Sequence, residues 1–357
     1  MLPDSRLIRA CAYLPAKVYQ MIVGLRIALY EQSYIKPKQL SKVVISVGNI
    51  TVGGTGKTPI VEFIASYLSE ENMEVAILTR GYKRIDSSRR QVVVSDGISV
   101  KAGFEEAGDE PFMLAAKLKN VKVIVNSNRF EAGHFAINEF GSDLLLLDDG
   151  FQHMQLRRDL NLLVLDATDL FGGGEIVPFG RLREPIYSIK RADAIIVTRS
   201  DREFDRDLLF NVLDGLGVNV PIIYSYHELT GLHDLFSKKP VAIRTLNRAK
   251  AGIVCAIGNP DLFVEDLQLY RTEIVSKQVF RDHHQYTQTD IDKVVNLASS
   301  SGASFLITTE KDAVKMEKFS FGEMPVYVTE IKAKFEDEVR FKSLLLKTIV
   351  KKRKVER

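Results

Sequence analysis

Residues 51–58, Thr-Val-Gly-Gly-Thr-Gly-Lys-Thr, have the types and order of a phosphate-binding loop. An apolar, β-branched run from Val43 to Val47 precedes them, and a helical pattern through Ile60, Val61, Ile64, Ala65 and Leu68 follows. Strand, glycine-rich turn and helix are the setting this motif needs. Gly53, Gly54 and Gly56 let the backbone of Thr51, Val52 and Thr55 curl so that its amides point at phosphate oxygens. The helix N-terminus adds a partial positive charge. Lys57 would reach the β- and γ-phosphates, and the Thr58 hydroxyl would hold Mg²⁺. The strict motif has glycine where Thr51 stands. An ordinary glycine-rich turn has no need of Lys57 and Thr58 between such flanks, so the chain is expected to bind a nucleoside triphosphate.

A second group of chemically able residues follows Leu144-Leu145-Leu146-Leu147. This apolar strand ends in Asp148 and Asp149, about ninety residues beyond the loop. A carboxylate at such a strand end can hold Mg²⁺ directly or through water. Taken alone the pattern is common; paired with a phosphate loop it is informative. The continuation Gly150-Phe151-Gln152-His153 is more specific still.

The elements that must position these groups alternate between strand and helix. Residues 75–79, 121–125, 144–147, 160–165 and 194–197 are short continuous apolar runs, and 91–94 is a further short strand. A helix follows Gly108-Asp109-Glu110. Runs of this kind imply strands buried on both faces of a mostly parallel sheet, hence an α/β fold. Pro221 and the stretch 231–239 mark a weak boundary. Beyond it, 251–257 and 304–307 suggest a second, smaller α/β unit. The expected division is a helical segment at 1–40, a nucleotide-binding domain at 41–225 and a smaller domain at 226–357.

At 357 residues, with 27% charged and 45% hydrophobic residues, the chain reads as an ordinary soluble enzyme. A net charge of +3 gives no argument for nucleic acid. Cys11 and Cys255 are far apart, lack metal-type spacing and read as buried or inert thiols. At the N-terminus Leu7, Ile8, Cys11, Leu14, Val18, Met21, Ile22, Leu25 and Leu29 recur at helical spacing, and Pro15 is expected to break or kink the helix. Arg6, Arg9, Lys17 and Arg26 exclude a membrane span. The stripe either packs on the core or lies on anionic lipid, and tyrosines at 13, 19, 30 and 34 suit an interface. The terminal run Lys351-Lys352-Arg353-Lys354 reads as a solvated end.

Taken together, residues 48–59, Arg80-Gly81-Tyr82, Gly108-Asp109-Glu110-Pro111 and Asp148-Asp149-Gly150-Phe151-Gln152-His153 resemble the tetraacyldisaccharide 4′-kinase family. Residues 180–185, Asp282-His283-His284 and Thr309-Glu310-Lys311-Asp312 extend the resemblance to about residue 315. It implies a P-loop domain, a smaller α/β domain and an active site in the cleft between them. The implied reaction transfers a phosphoryl group from ATP to the 4′-hydroxyl of a tetraacylated glucosamine disaccharide 1-phosphate, at the cytoplasmic face of the inner membrane. The anionic membrane surface would then be a partner through the N-terminal stripe; no obligate protein partner is expected.

The resemblance also suggests roles. Thr58, Asp148 and Glu184 would serve the metal, and Arg183 the transferring phosphate, although Arg183 and Glu184 by themselves suggest a local ion pair. His283, oriented by Asp109, would be the base. Asp149 would position the hydroxyl or share the metal. Arg80, Arg129, Gln152 and His153 would meet substrate or ATP phosphates. Other readings compete. Asp282-His283-His284 allows a metal pair or a phosphoesterase, though the latter has no use for a phosphate loop. The loop also resembles that of partitioning-type ATPases, but Val52 stands where their signature lysine would be. Thr198-Arg199-Ser200-Asp201 resembles a guanine-reading motif, with Arg199 replacing its lysine. A membrane scaffold with a vestigial site is disfavoured by Lys57, Thr58 and Asp148.

Overall fold

The computed structural model describes residues 6–82 and 84–355, with side chains for 12–82 and 84–354. The first half of the chain runs α1 (Arg6–Glu31), β1 (Val43–Gly48), α2 (Lys57–Glu70), β2 (Val75–Thr79), β3 (Gln91–Asp96), α3 (Phe104–Ala107), α4 (Asp109–Lys117), β4 (Lys122–Asn126), α5 (Arg129–Phe140), β5 (Leu144–Asp148), β6 (Leu160–Asp166), β7 (Ala194–Thr198) and α6 (Arg206–Leu216). The second half runs β8 (Ile222–Asp234), β9 (Pro240–Val241), β10 (Lys250–Cys255), α7 (Pro260–Gln268), β11 (Glu273–Val279), α8 (Gln288–Ser300), β12 (Phe305–Thr309), α9 (Glu310–Met316), β13 (Val326–Phe335) and α10 (Glu338–Val355).

Among the described residues the strands form one sheet in the order β11-β10-β12-β13-β8-β7-β6-β1-β5-β2-β4-β3, with β9 paired to β8. β1 lies between β5 and β6 and is parallel to both. Every residue of β1, β2, β4, β5, β6 and β7 is buried, which is why these strands read as continuous apolar runs rather than alternating ones. Antiparallel pairing is confined to β3 on β4, β8 on β13, and β9 on β8.

The thirteen-residue β8 joins the two halves. Its first residues pair in parallel with β7, and the strand then pairs antiparallel with β13 from Ser225 to Asp234. The expected boundary after residue 225 falls inside this strand. β8, β11 and β13 carry no strong periodic signal, because they are only partly buried and mix polar with apolar residues.

On one face of the sheet α2, α4 and α10 pack with Ile45, Ile77, Val123, Leu146 and Ile196 into a continuous core. The buried Ile60, Ile64 and Leu68 fix α2 on β1, each contributing about 1.5–3 kcal/mol. α10 docks through Phe341, Leu345 and Ile349, with Phe341 stacked 5.8 Å from Phe63. Its basic end is not merely solvated. Lys352 pairs with Asp159 at 3.2 Å and Arg353 with Asp143 at 3.6 Å, at the start of β6 and β5.

α1 departs from expectation at Pro15 and decides between the two readings of its stripe. It is a single helix through Pro15, since a proline removes only one main-chain donor and the buried Ala12, Ala16 and Ile27 secure the helix on both sides of it. The apolar stripe does not enter the core: Leu14, Val18, Met21, Ile22 and Leu25 are 47–69% exposed. Ala12, Ala16 and Ile27 face the protein while the larger run from Leu14 to Leu25 faces outward, unlike an ordinary packed helix. Among the described residues no helix is long and apolar enough to cross a membrane. Cys255 is buried, and burial pushes its thiol up to about 12; the side chain of Cys11 lies outside the described residues.

Candidate active site

The loop after β1 folds as its glycines require. Gly53 and Gly56 have φ of +110° and +75°, a region open to glycine and costly for other residues. A Cβ on Gly56 would also stand 2.7 Å from the His227 ring. Thr51 needs no such freedom. It forms a bridge with Leu182, while the neighbouring Val52 N–H donates to the Arg181 carbonyl at 2.8 Å. The departure from the strict motif therefore falls where the chain is extended.

Four loop carbonyls, which would repel a phosphate, are held by protein donors. Asn49 Nδ2 donates to the Thr51 carbonyl at 2.9 Å and Arg181 to that of Val52 at 3.1 Å. Arg199 donates to the Gly54 carbonyl at 3.3 Å, and the Thr198 hydroxyl to that of Thr55 at 2.9 Å. Gly56, at the N-cap of α2, supplies no side-chain cap, so the first-turn amides starting at Lys57 and Thr58 are left for an anion.

β5 delivers Asp148 and Asp149 beside this loop. Asp148 is fully buried. Burial, then Glu110 and Asp149, push its carboxyl up to about 7, against Lys57 and Arg129. Asp149 has a left-handed backbone, φ +51°, and meets Arg183 Nη1 at 2.8 and 3.0 Å and Lys57 Nζ at 3.6 Å. Burial opposes its charge, but Lys57, Arg183 and Arg129 outweigh that and hold it at about 2. One carboxylate thus already has its cations and the other lacks them. Arg183 does not pair with Glu184. The buried Glu184 pairs with Arg191, whose guanidinium lies over the Phe151 ring at 4.7 Å.

A hard divalent cation fits this setting. Asp148 offers oxygen with uncompensated charge, and Thr58 offers a hydroxyl on the facing helix. Among the described residues no group of three or more His, Cys, Asp or Glu side chains encloses an ion. That suits Mg²⁺, which takes one or two carboxylates and completes its shell with phosphate and water oxygens.

Asp109 and His283, 174 residues apart, meet: His283 Nδ1 is 3.1 Å from Asp109 Oδ2. Asp109 opens α4 in the first half; His283, with φ +66°, stands in the loop between β11 and α8 in the second. A left-handed backbone at a non-glycine residue costs about 1–2 kcal/mol and persists where surrounding contacts enforce it. Burial works against the charge of Asp109. The His283 hydrogen bond and Lys315, 3.2 Å away, outweigh it and lower the carboxyl. His284 turns instead to Asp290, at 3.2 Å, so the two histidines do not form a metal pair.

The remaining expected residues collect beside the loop that follows Asp149. Gln152 Nε2 donates to the Asn49 carbonyl at 2.8 Å. His153 is half-buried and its Nε2 has no partner. Burial, then Arg129, Arg158, Arg26 and Arg80, push its ring down to about 4. Arg129 is buried at the start of α5. Arg80 is exposed, and the two guanidiniums feel each other. Arg26 arrives from α1 and donates to the Gln152 carbonyl at 3.3 Å. This is a basic recess around an uncharged imidazole, open to an anion.

Sequence reasoning missed several contributors. Asn49, Thr198 and Arg181 brace the loop, Arg26 and Arg158 complete the basic recess, and Lys311 and Lys315 flank His283 and Asp109. Asn49, Arg181, Thr198 and Lys311 stand inside motifs the sequence shows, but their partners depend on chain reversals that spacing does not reveal; Arg158 and Lys315 carried no signal. Arg199 is committed to Asp166 and to the Gly54 carbonyl, which removes it from base reading.

A phosphate loop on a parallel strand, a carboxylate at the end of the adjacent strand and a carboxylate-supported histidine facing them define a P-loop phosphotransferase. The family model described as Tetraacyldisaccharide-1-P 4'-kinase matches residues 9–350. A tetraacyldisaccharide 4′-kinase of Halothermothrix orenii is 39% identical over 316 residues, 85% of this chain and 81% of the relative. Another, of Desulfotalea psychrophila, is 35% identical over 335 residues, 93% and 94% of the two chains. The crystal structure of LpxK from Aquifex aeolicus in complex with ATP superposes with a TM-score of 0.75 at 31% identity, covering 96% of this chain and 99% of that one. The chain belongs to the tetraacyldisaccharide-1-phosphate 4′-kinase family and is a kinase rather than a GTPase switch.

The charge of Asp148 yields a prediction about stability. Its folded carboxyl titrates near 7 against an ordinary 3.8, so the folded state binds the proton more tightly. Stability then falls as pH rises from about 4 to about 7 and stays lower above that. In ligand-free protein at pH 8, Asp148→Asn should raise the melting temperature by roughly 2–4 °C, with the gap closing toward pH 5, and should abolish phosphoryl transfer. A melting temperature at or below the parent's at pH 8 would contradict this.

Proposed function

We propose that the chain transfers the γ-phosphoryl group of ATP to the 4′-hydroxyl of tetraacyldisaccharide 1-phosphate, giving the 1,4′-bisphosphate. The observation that supports this reading is the 3.1 Å contact of His283 with Asp109, the pairing a carboxylate-oriented base needs. The division into a nucleotide-binding half and a smaller half, each supplying one member of that pair, is part of the same proposal.

Residues 51–58 hold the triphosphate, with Lys57 on its terminal phosphates. Mg²⁺, when bound through Thr58 and Asp148, neutralises phosphate charge and fixes the geometry of the transferring group. Glu184 is the weakest member of the expected metal set, because Arg191 already balances it. Arg183, steered by Asp149, presents a planar fork to the transferring phosphoryl oxygens. Asp109 accepts from Nδ1–H of His283, which leaves Nε2 as the acceptor for a proton. As the 4′-oxygen bonds to the γ-phosphorus, the bond from that phosphorus to the ADP oxygen breaks and the hydroxyl proton passes to Nε2. Arg80, Arg129, Gln152 and His153 form the acceptor side, where cations suit a sugar phosphate.

The acceptor is a lipid, and α1 supplies the matching surface. Its outward face carries Leu14, Val18, Met21, Ile22 and Leu25, with Lys17 and Arg26 on the same helix. That combination lies in the headgroup region of an anionic leaflet without spanning it. We infer peripheral attachment at the cytoplasmic face of the inner membrane.

Two measurements test these statements. Protein incubated with Mg²⁺, γ-labelled ATP and tetraacyldisaccharide 1-phosphate in detergent should move label into a bisphosphorylated lipid, and Lys57→Ala should lose at least about 10²-fold of that rate. Label confined to inorganic phosphate would sink the reading. In flotation with anionic vesicles, the double variant Met21→Glu, Leu25→Glu should leave the lipid fraction while keeping the parent's ATP affinity. Equal flotation of both proteins would remove α1 as the docking element.

A further inference from the structure

Thr309-Glu310-Lys311-Asp312 belongs to the sequence pattern but has no part in the reaction as described. Thr309 caps α9 and accepts from the Asp312 N–H, which sets Lys311 in the first turn, facing the first half. Lys311 Nζ is 3.3 Å from His283 Nε2, 2.9 Å from Asp282 Oδ1 and 3.4 Å from Glu110 Oε1, and the side chain is only 16% exposed. The ring of His283 is thus held at both nitrogens, by a carboxylate on α4 and by an ammonium on α9.

Asp109 meets this ring from α4, and Asp282 lies 3.7 Å from Nε2 in its own loop. The Tyr82 ring stands edge-on 5.6 Å away. Lys315 does not offset these carboxylates at the ring, because its buried ammonium sits between Asp109 and Asp312 at 3.2 and 3.1 Å. Among the described residues Lys311 is the cation in contact with Nε2. Burial opposes its charge, but Glu110 and Asp282 outweigh that and raise it, so it remains an ammonium throughout the working range.

We propose that Lys311 is a positioning residue for the base: its ammonium donates to the Nε2 lone pair of His283, fixes the tautomer protonated at Nδ1, and holds Nε2 in place as an acceptor until the acceptor hydroxyl takes that place. A neutral ring accepts from Lys311 and donates to Asp109, satisfying both nitrogens. A protonated ring would put two cations in contact, so Lys311 counterweighs Asp109 and Asp282. This inference rests on the reading of His283 as the base.

The test follows kcat/KM against pH, with the ring titration of His283 by NMR, in the full chain and in Lys311→Met, Lys311→Gln and Lys311→Arg. Met and Gln should move the acidic limb and the ring midpoint up together by about one pH unit. Activity at pH 6 should then fall about tenfold while activity at pH 9 stays within about twofold. Arg, which keeps the charge, should leave both near the parent's, and the KM for ATP should hold in all three. Gln keeps a polar donor on a chain one atom shorter, so it reports even if Met does not fold. A limb and midpoint unmoved in Gln would overturn the proposal and leave Lys311 as a tie between α9 and α4. A raised KM for ATP with an unmoved limb would overturn it in favour of a phosphate contact. His283→Ala separates the two levels: if it transfers at the parent's rate, the base reading falls and this inference with it.

Discussion

The contact between α4 and α9 is the constraint on which the site depends. Three ion pairs cross it: Asp109–Lys315, Glu110–Lys311 and Lys117–Glu310. Pairs open to solvent are worth little by themselves. Asp109–Lys315 is buried, and a buried charge deprived of its partner costs several kcal/mol. Glu310 shows the tension, since burial pushes its carboxyl up to about 7 even with Lys117 at 3.0 Å. Such an interface favours one register of the two helices. That register brings Asp109 to His283, and β8, continuous through both halves, supplies the covalent frame.

Around that contact the charges are arranged for a polyanion. Asp149 already has Lys57 and Arg183, whereas Asp148 has no close cation and is destabilised by burial. The loop carbonyls are turned toward Asn49, Arg181, Arg199 and Thr198. The basic recess holds His153 uncharged among four guanidiniums. The burial of Asp148 and the crowding of guanidiniums around His153 cost stability in the ligand-free chain. Each is relieved by an incoming metal, phosphate or anionic acceptor, as electrostatic preorganisation requires.

Much of the first half was legible because its strands are buried on both faces and its turns carry glycine where φ is positive. Residues 43–47, 75–79 and 144–147 announce the sheet, and 51–58 announce the loop. β8, β11 and β13 were not legible, since half-buried strands mix polar and apolar residues without a clear period. α1 was read correctly as amphipathic, but which side the stripe faced depended on the tertiary packing of Ala12, Ala16 and Ile27. The contact of Asp109 with His283 was anticipated only through a family resemblance; no spacing rule joins residues 174 positions apart. Lys311 and Lys315 were missed because their partners come from the other half of the chain.

The central claim is that Asp109 and His283 act as one unit, and a double-mutant cycle on kcat tests it most directly. Asp109→Ala and His283→Ala should each lower kcat by about 10²–10⁴-fold, and the double variant should be no slower than the worse of the two, because a group that acts through another has nothing left to support. Losses that multiply in the double variant would show two independent contributions and contradict the account.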